Sequence, residues 1–175
     1  MGDTPAPFAA YSSEVRSEWL DYNGHMHDAS YGIVLSEANE ELFAALGLSA
    51  DYRASTGASL YTVEGHIRYL AEVSLGQTLR ATTVVIAADA KKMRLYTELL
   101  REDGQVAATG EFQYLHVDSA LGATTPMPTD RHIRVQEMVA AHAYLPRPDH
   151  LGGVVTPYEG GGHVSWDPVA IDAPL

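Results

Sequence analysis

All nine prolines of this chain lie near its ends: Pro5 and Pro7, then Pro126, Pro128, Pro146, Pro148, Pro157, Pro168 and Pro174. Proline interrupts helix interiors and central strands, so the run from Phe8 to Thr125 is where long regular elements can form. We read roughly 10–118 as one folded domain, 119–150 as an extension with one helix, and 151–175 as a Gly/Pro-rich tail. With no cysteine, the chain has no disulfide framework, no CxxC redox pair, no thiolate zinc site and no catalytic thiolate. Any nucleophile is an oxygen, a nitrogen or an activated water.

Charge narrows the partners. The net charge of −12 argues against non-specific nucleic-acid binding. It is uneven: −7 over residues 1–50, +1 over 51–100 and −6 over 101–175. An anionic ligand would therefore meet the middle segment, where Arg68, Arg80, Lys91, Lys92 and Arg94 lie. The N-terminus has no basic and apolar signal pattern, and no run of ~18 apolar residues exists to span a bilayer. A cytoplasmic protein with no membrane partner is expected.

Periodicity supplies the elements. A short extended piece near Glu14–Glu18 leads into a polar loop. A helix from about Ala29 to Leu46 is then expected, with Asp28 as N-cap and Gly47 as C-cap. Tyr31, Val34/Leu35, Ala38, Leu42 and Ala45/Leu46 form its apolar stripe. Ala58–Leu70, Thr78–Ala88, Lys91–Arg101 and Gln105–Val117 read as strands, with Asp103-Gly104 as a hairpin turn. We expect the four to join as a meander against the helix, an α+β arrangement whose order fits a hotdog fold: an antiparallel sheet wrapped around one long helix. A segment near Asp130–Tyr144 has helical periodicity and is expected to pack outside this unit.

The densest polar cluster is Asp21-Tyr22-Asn23-Gly24-His25-Met26-His27-Asp28, where a strand feeds the start of the apolar helix. Free amides in the first turn of a helix can hold an oxyanion, and a carboxylate just upstream can act as base or nucleophile. Gly24 permits a sharp turn and close approach of a ligand. Two other readings stay open on these residues: a helix entry whose side chains only cap backbone groups, and a metal chelate of His25, His27 and Asp28.

The run Glu18-Trp-Leu-Asp-Tyr-Asn-Gly-His-Met26, followed by Ala29 and Tyr31, resembles the signature loop of hotdog acyl-CoA thioesterases of the 4-hydroxybenzoyl-CoA thioesterase type. Together with Thr62–Val73 (TVEGHIRYLAEV) and His116–Asp118, it is most similar to the betainyl-CoA thioesterases of carnitine breakdown, over about residues 13–150. One difference is His27, where most relatives have asparagine. The loop also departs from the Asp-x-Asn-Pro-x-His pattern of hotdog hydratases, because Gly24 replaces the proline and the histidine falls one position early.

The resemblance implies hydrolysis of an acyl-CoA thioester, with Asp21 attacking the thioester carbon or activating water. The carbonyl oxygen would lie against amides near Asp28–Ser30, and Asn23 and His25 would orient water or Asp21. Glu64 is a further acid/base candidate. The coenzyme A phosphates would meet Arg68, Lys91, Lys92 and Arg94. A trimethylammonium acyl group would need aromatic faces, for which Trp19, Tyr22, Tyr31, Tyr61 and Tyr69 are candidates, with Glu64 as counter-charge. No metal and no cofactor is implied beyond coenzyme A as part of the substrate. A homodimer or higher homo-oligomer is implied. The alternative class is an acyl-CoA-binding hotdog protein without catalysis.

Overall fold

The computed structural model describes residues 4–152, so the expected tail lies almost wholly outside the described residues. In chain order the elements are β1 (Ser12–Glu14), α1 (Asp28–Leu46), α2 (Ala50–Thr56), β2 (Ala58–Tyr69), β3 (Thr78–Ala88), β4 (Lys92–Leu100), β5 (Val106–Asp118), β6 (Ala123–Thr124) and α3 (Thr129–His142). The six strands form one antiparallel sheet, ordered β1-β3-β4-β5-β2 with β6 added to β5. The sheet curls around α1, which is the α+β hotdog arrangement expected from the element order. Every strand and α1 fall between Pro7 and Pro126, and Pro128 stands at the N-cap of α3.

Strand alternation turns one face of the sheet onto α1. Leu79, Ala81, Thr83 and Val85 of β3 face inward with Met93, Leu95, Thr97 and Leu99 of β4, and all are buried. The helix presents Tyr31, Val34, Leu35, Ala38, Leu42 and Leu46 to them. The buried stripe is wider on one side than the apolar pattern indicates, since Asn39 and Phe43 are buried and Ala45 is exposed. Asn39 is accommodated by hydrogen bonds: its amide donates to the Tyr114 hydroxyl at 2.9 Å and its carbonyl accepts from Thr97 Oγ1 at 2.7 Å. Thr97 in turn meets Thr83 Oγ1 at 3.1 Å. This polar ladder crosses the core fully paired, as burial of such groups requires.

Four local expectations need correction. The piece before the loop is β1 at Ser12–Glu14 followed by a 3₁₀ turn over Ser17–Trp19, not one extended run over Glu14–Glu18. The N-cap position is His27, one residue before Asp28. The strands are not a simple meander: β3, β4 and β5 are consecutive neighbours, but β2 pairs with β5 at the far edge. Finally, α3 does not sit outside the unit, because Val135 and Met138 join the buried cluster of Leu42, Phe43, Leu46, Val85 and Met93.

The β2–β5 pairing has a direct consequence. To pass from β2 to β3 the chain must cross two strands, and residues 70–77 make that crossing beside the N-terminus of α1. Met26 N donates to Val73 O at 2.8 Å and His25 bridges Ser74, so the polar loop and the crossover are clamped together. Gly47 ends α1 at φ 75°, as expected of a glycine C-cap.

Candidate active site

The polar loop is a tight local hairpin. Leu20 bridges Met26, Asp21 N donates to His25 O at 2.8 Å, and His27 N donates to Trp19 O at 2.8 Å. Gly24 turns the tip at φ 79°, a conformation that side chains resist, and its α-carbon faces open space. Asp21 is thereby fixed at the mouth of a cleft of about 390 Å³ lined by Asp21, Asn23, His25, Met26, Asp28, Tyr31, Tyr69, Leu70, Ala71 and Glu72.

Asp21 is held as a carboxylate. Partial desolvation pushes its pKa up, but hydrogen bonds outweigh it and hold it below the ordinary carboxylate range. Oδ1 accepts from Asn23 N at 2.8 Å and from His25 N at 3.4 Å, and Oδ2 accepts from Asn23 Nδ2 at 3.4 Å. Asn23 and His25 thus orient Asp21, partly through their backbones.

Fewer amides are free at the helix start than the range Asp28–Ser30 suggests. Ser30 N donates to His27 O at 2.9 Å, and Ala29 N lies 2.7 Å from Asp28 Oδ1. His27 Nδ1 is 3.1 Å from the same amide and 2.7 Å from Asp28 Oδ1. The Ala29 amide is shared, donating to Asp28 Oδ1 and to His27 Nδ1. The cap acceptor is thus His27 at the N-cap position, and Asp28, expected there, accepts the same amide from the first helical position. Among the described residues the Asp28 amide has no acceptor. Of the three amides it is the one left unpaired, at the positive end of the helix dipole.

Tyr31 and Tyr69 form the apolar wall of the cleft, their rings edge-to-face at 5.4 Å between centroids. Tyr31 is anchored by donating to Ala71 O at 3.1 Å. Burial pushes the pKa of both phenols up, so both stay protonated. Glu72 reaches toward His25, with 3.6 Å between Oε2 and Nε2. Glu72 was not among the sequence candidates. Its signal was its place in the Thr62–Val73 segment that carries part of the resemblance, beyond the end of the strand.

Several candidates lie elsewhere in the single chain. Trp19 is buried under the loop with Arg16 stacked on its ring at 4.4 Å. Tyr22 is 97% exposed and does not line the cleft. Glu64 lines a second cleft, on the outer face of the sheet, with His66, Arg94, Glu111, Phe112, Gln113 and Gly152, where Arg94 is paired with Glu111. Of the cations, Arg68 pairs in register with Thr109, one step from the Tyr69–Ala108 pair at the site end. Lys92 pairs with Leu115, which also faces Tyr61; that is seven residues along β5 from Ala108, roughly 24 Å at a strand's rise. Lys91 and Lys92 turn the chain at Asp89, whose Oδ1 accepts from both amides. Arg80 is exposed on β3 opposite Ser12.

The His116–Asp118 segment is structural. His116 is buried between Tyr52 OH at 2.9 Å and Thr125 O at 2.8 Å, and Asp118 Oδ1 accepts from Ala120 and Leu121 amides. Among the described residues no three His, Asp or Glu side chains converge on one point as metal ligands would. No helix among them is long and apolar enough to cross a membrane.

A family model described as the thioesterase-like superfamily matches residues 15–141. The chain is 43% identical over 146 residues to an L-carnitine dehydrogenase/betainyl-CoA thioesterase of Agrobacterium fabrum, covering 83% of this chain but 30% of that protein. It is 36% identical over 146 residues to a betainyl-CoA thioesterase of Pseudomonas aeruginosa, covering 83% of this chain and 92% of that protein. The solved structure of a Staphylococcus aureus protein in complex with CoA superposes with a TM-score of 0.81 at 26% identity, over 90% of this chain and all of the other.

Proposed function

This chain belongs to the thioesterase-like superfamily, and we propose that it hydrolyses an acyl-CoA thioester to the free acid and coenzyme A, with a small cationic acyl group of the betainyl type as substrate. The observation that carries this reading is an ionised Asp21 in one cleft with the unpaired Asp28 amide at the start of α1. The two groups supply what thioester hydrolysis needs: an oxygen nucleophile or base, and a donor for the developing oxyanion. Attack by Asp21 forms an acyl-enzyme anhydride and expels the coenzyme A thiolate, after which water releases the acid. Alternatively, Asp21 takes a proton from water as that water attacks. A thiolate leaves without strong acid assistance, which matches a cleft that, among the described residues of one chain, has no lining Lys or Arg.

Coenzyme A is an anion, and Arg68 is the sequence-predicted cation nearest the site end within one chain. A second copy supplies the others in our reading. The β2 edge carries exposed Tyr61, Val63 and Tyr69, a combination that invites pairing with another strand. In a two-fold antiparallel pairing of β2 with its copy, the Tyr61 end of one chain lies beside the Tyr69 end of the other. Arg94, Lys91 and Lys92 of the second copy then approach the first copy's cleft, and Glu64 comes to the middle of the interface.

The test is thiol release from a panel of betainyl-CoA, short straight-chain acyl-CoAs and aromatic acyl-CoAs. Wild type should act best on betainyl-CoA, and Asp21→Asn should lose about 10²- to 10⁴-fold in kcat with the fold intact by circular dichroism. Near-normal release by the variant would overturn the role of Asp21. Tight binding of acyl-CoA without turnover across the panel would overturn the catalytic reading.

A further inference from the structure

Within one chain and among the described residues, the cleft that holds Asp21 is lined by three carboxylates, two tyrosines and no lysine or arginine. The carboxylates are not equivalent. Both oxygens of Asp21 are engaged by Asn23 and His25, and Asp28 caps Ala29 with His27. Among the described residues Glu72 has no such duty: its side chain is 79% exposed, and its one close polar neighbour there is His25 Nε2 at 3.6 Å, beyond hydrogen-bond length. It also stands next to Ala71, whose carbonyl anchors Tyr31 in the edge-to-face pair with Tyr69.

Resting on the thioesterase reading above, we propose that Glu72 is the specificity residue of this site, selecting a quaternary-ammonium acyl group over a neutral group of the same shape. The chemistry of the substrate makes the location unavoidable. In a betainyl thioester one methylene separates the carbonyl carbon from the nitrogen, so a thioester presented to Asp21 brings its cation into the same cleft. There the tyrosine rings offer π-faces and Glu72 offers an uncommitted negative charge. A tert-butyl group in place of trimethylammonium keeps the shape and removes the charge. The difference between the two substrates therefore reads Glu72 directly.

The experiment compares betainyl-CoA with 3,3-dimethylbutanoyl-CoA in wild type, Glu72→Gln and Glu72→Asp. Wild type prefers betainyl-CoA. Glu72→Gln should lower the ratio of the two kcat/KM values on the order of tenfold, the size expected of one partly screened charge nearby. Glu72→Asp should keep most of the preference, and added salt should narrow the wild-type ratio. An unchanged ratio overturns the proposal, including the case where both rates fall together because Glu72 merely positions His25. Calorimetry with the matching non-hydrolysable thioethers of coenzyme A, one with a trimethylammonioethyl and one with a 3,3-dimethylbutyl group, separates the two failures. Absence of thiol release sinks the thioesterase reading, whereas equal affinity of wild type and Glu72→Gln for the cationic thioether sinks the role of Glu72.

Discussion

Asp21 illustrates how a side chain is tuned by its own loop. Its carboxyl is desolvated only in part, and the amides of Asn23 and His25 are aimed at it by the turn at Gly24. The sign of the effect is testable. A carboxyl held below its ordinary value stays ionised as pH falls, so kcat/KM for thiol release should hold its plateau from neutral pH down to the usual carboxylate range. The acid limb should appear only below that range. A loss of activity centred near pH 6 would mean that a group other than Asp21 sets the limb. His27 is also explained at this scale: its Nδ1 accepts from the Ala29 amide, which makes it the N-cap of α1.

At the scale of elements, α1 decides where the site is and how well it is held. Its N-terminus abuts the loop, and its buried stripe is seated on β3, β4 and β5. The least obvious member of that stripe is Asn39, fully buried and bonded to Tyr114 and Thr97. Asn39→Ala should cost about 3 kcal/mol by denaturant unfolding, since it takes a partner from the buried hydroxyls of Tyr114 and Thr97, of which Thr97 keeps Thr83, as well as removing a side chain. That equals the lower range for Leu42→Ala, about 2–5 kcal/mol from its cavity. A loss below about 1 kcal/mol would show that the ladder is not a structural tie. Asn39 falls at helical spacing from Leu35 and Leu42, but a polar residue within an apolar stripe reads as surface until its partners, nearly sixty and more residues away in sequence, are known.

At the scale of the whole described fold, the C-terminal end of α3 covers β3 beyond the short stretch paired with β1. Buried His142 accepts from Val85 N at Nδ1 (2.8 Å) and donates from Nε2 to Pro5 O (2.9 Å), tying sheet, helix and N-terminal arm together. Both nitrogens are committed, so the ring must be neutral. Burial lowers its pKa below the ordinary 6.5, with the Pro5 carbonyl opposing in part. The unfolded chain therefore binds this proton more readily, and the stability that His142 confers is full above about pH 6.5 and is lost as pH falls through the lowered folded value. The fall in unfolding midpoint between pH 7.5 and 5.5 should shrink in His142→Asn, whose side-chain oxygen can replace Nδ1 as acceptor without titrating. An unchanged pH response in that variant would assign the acid sensitivity elsewhere.

The sequence by itself did not determine the short α2 and β6, but it determined the types of the four long strands, α1 and α3, the ends of α1 within a residue, and the composition of the loop around Asp21. These depend on periodicity, caps and turns, which are interactions among near neighbours in the chain. Which distant residues join that loop was decided only by the tertiary structure. Because β2 pairs with β5 and not β3, the crossover at residues 70–77 passes the loop and brings Glu72 to it. The same pairing leaves Glu64 on the outer face and sets Lys91 and Lys92 at the far end of the sheet. Edge-strand order rests on contacts between segments some fifty residues apart, and no local pattern encodes it.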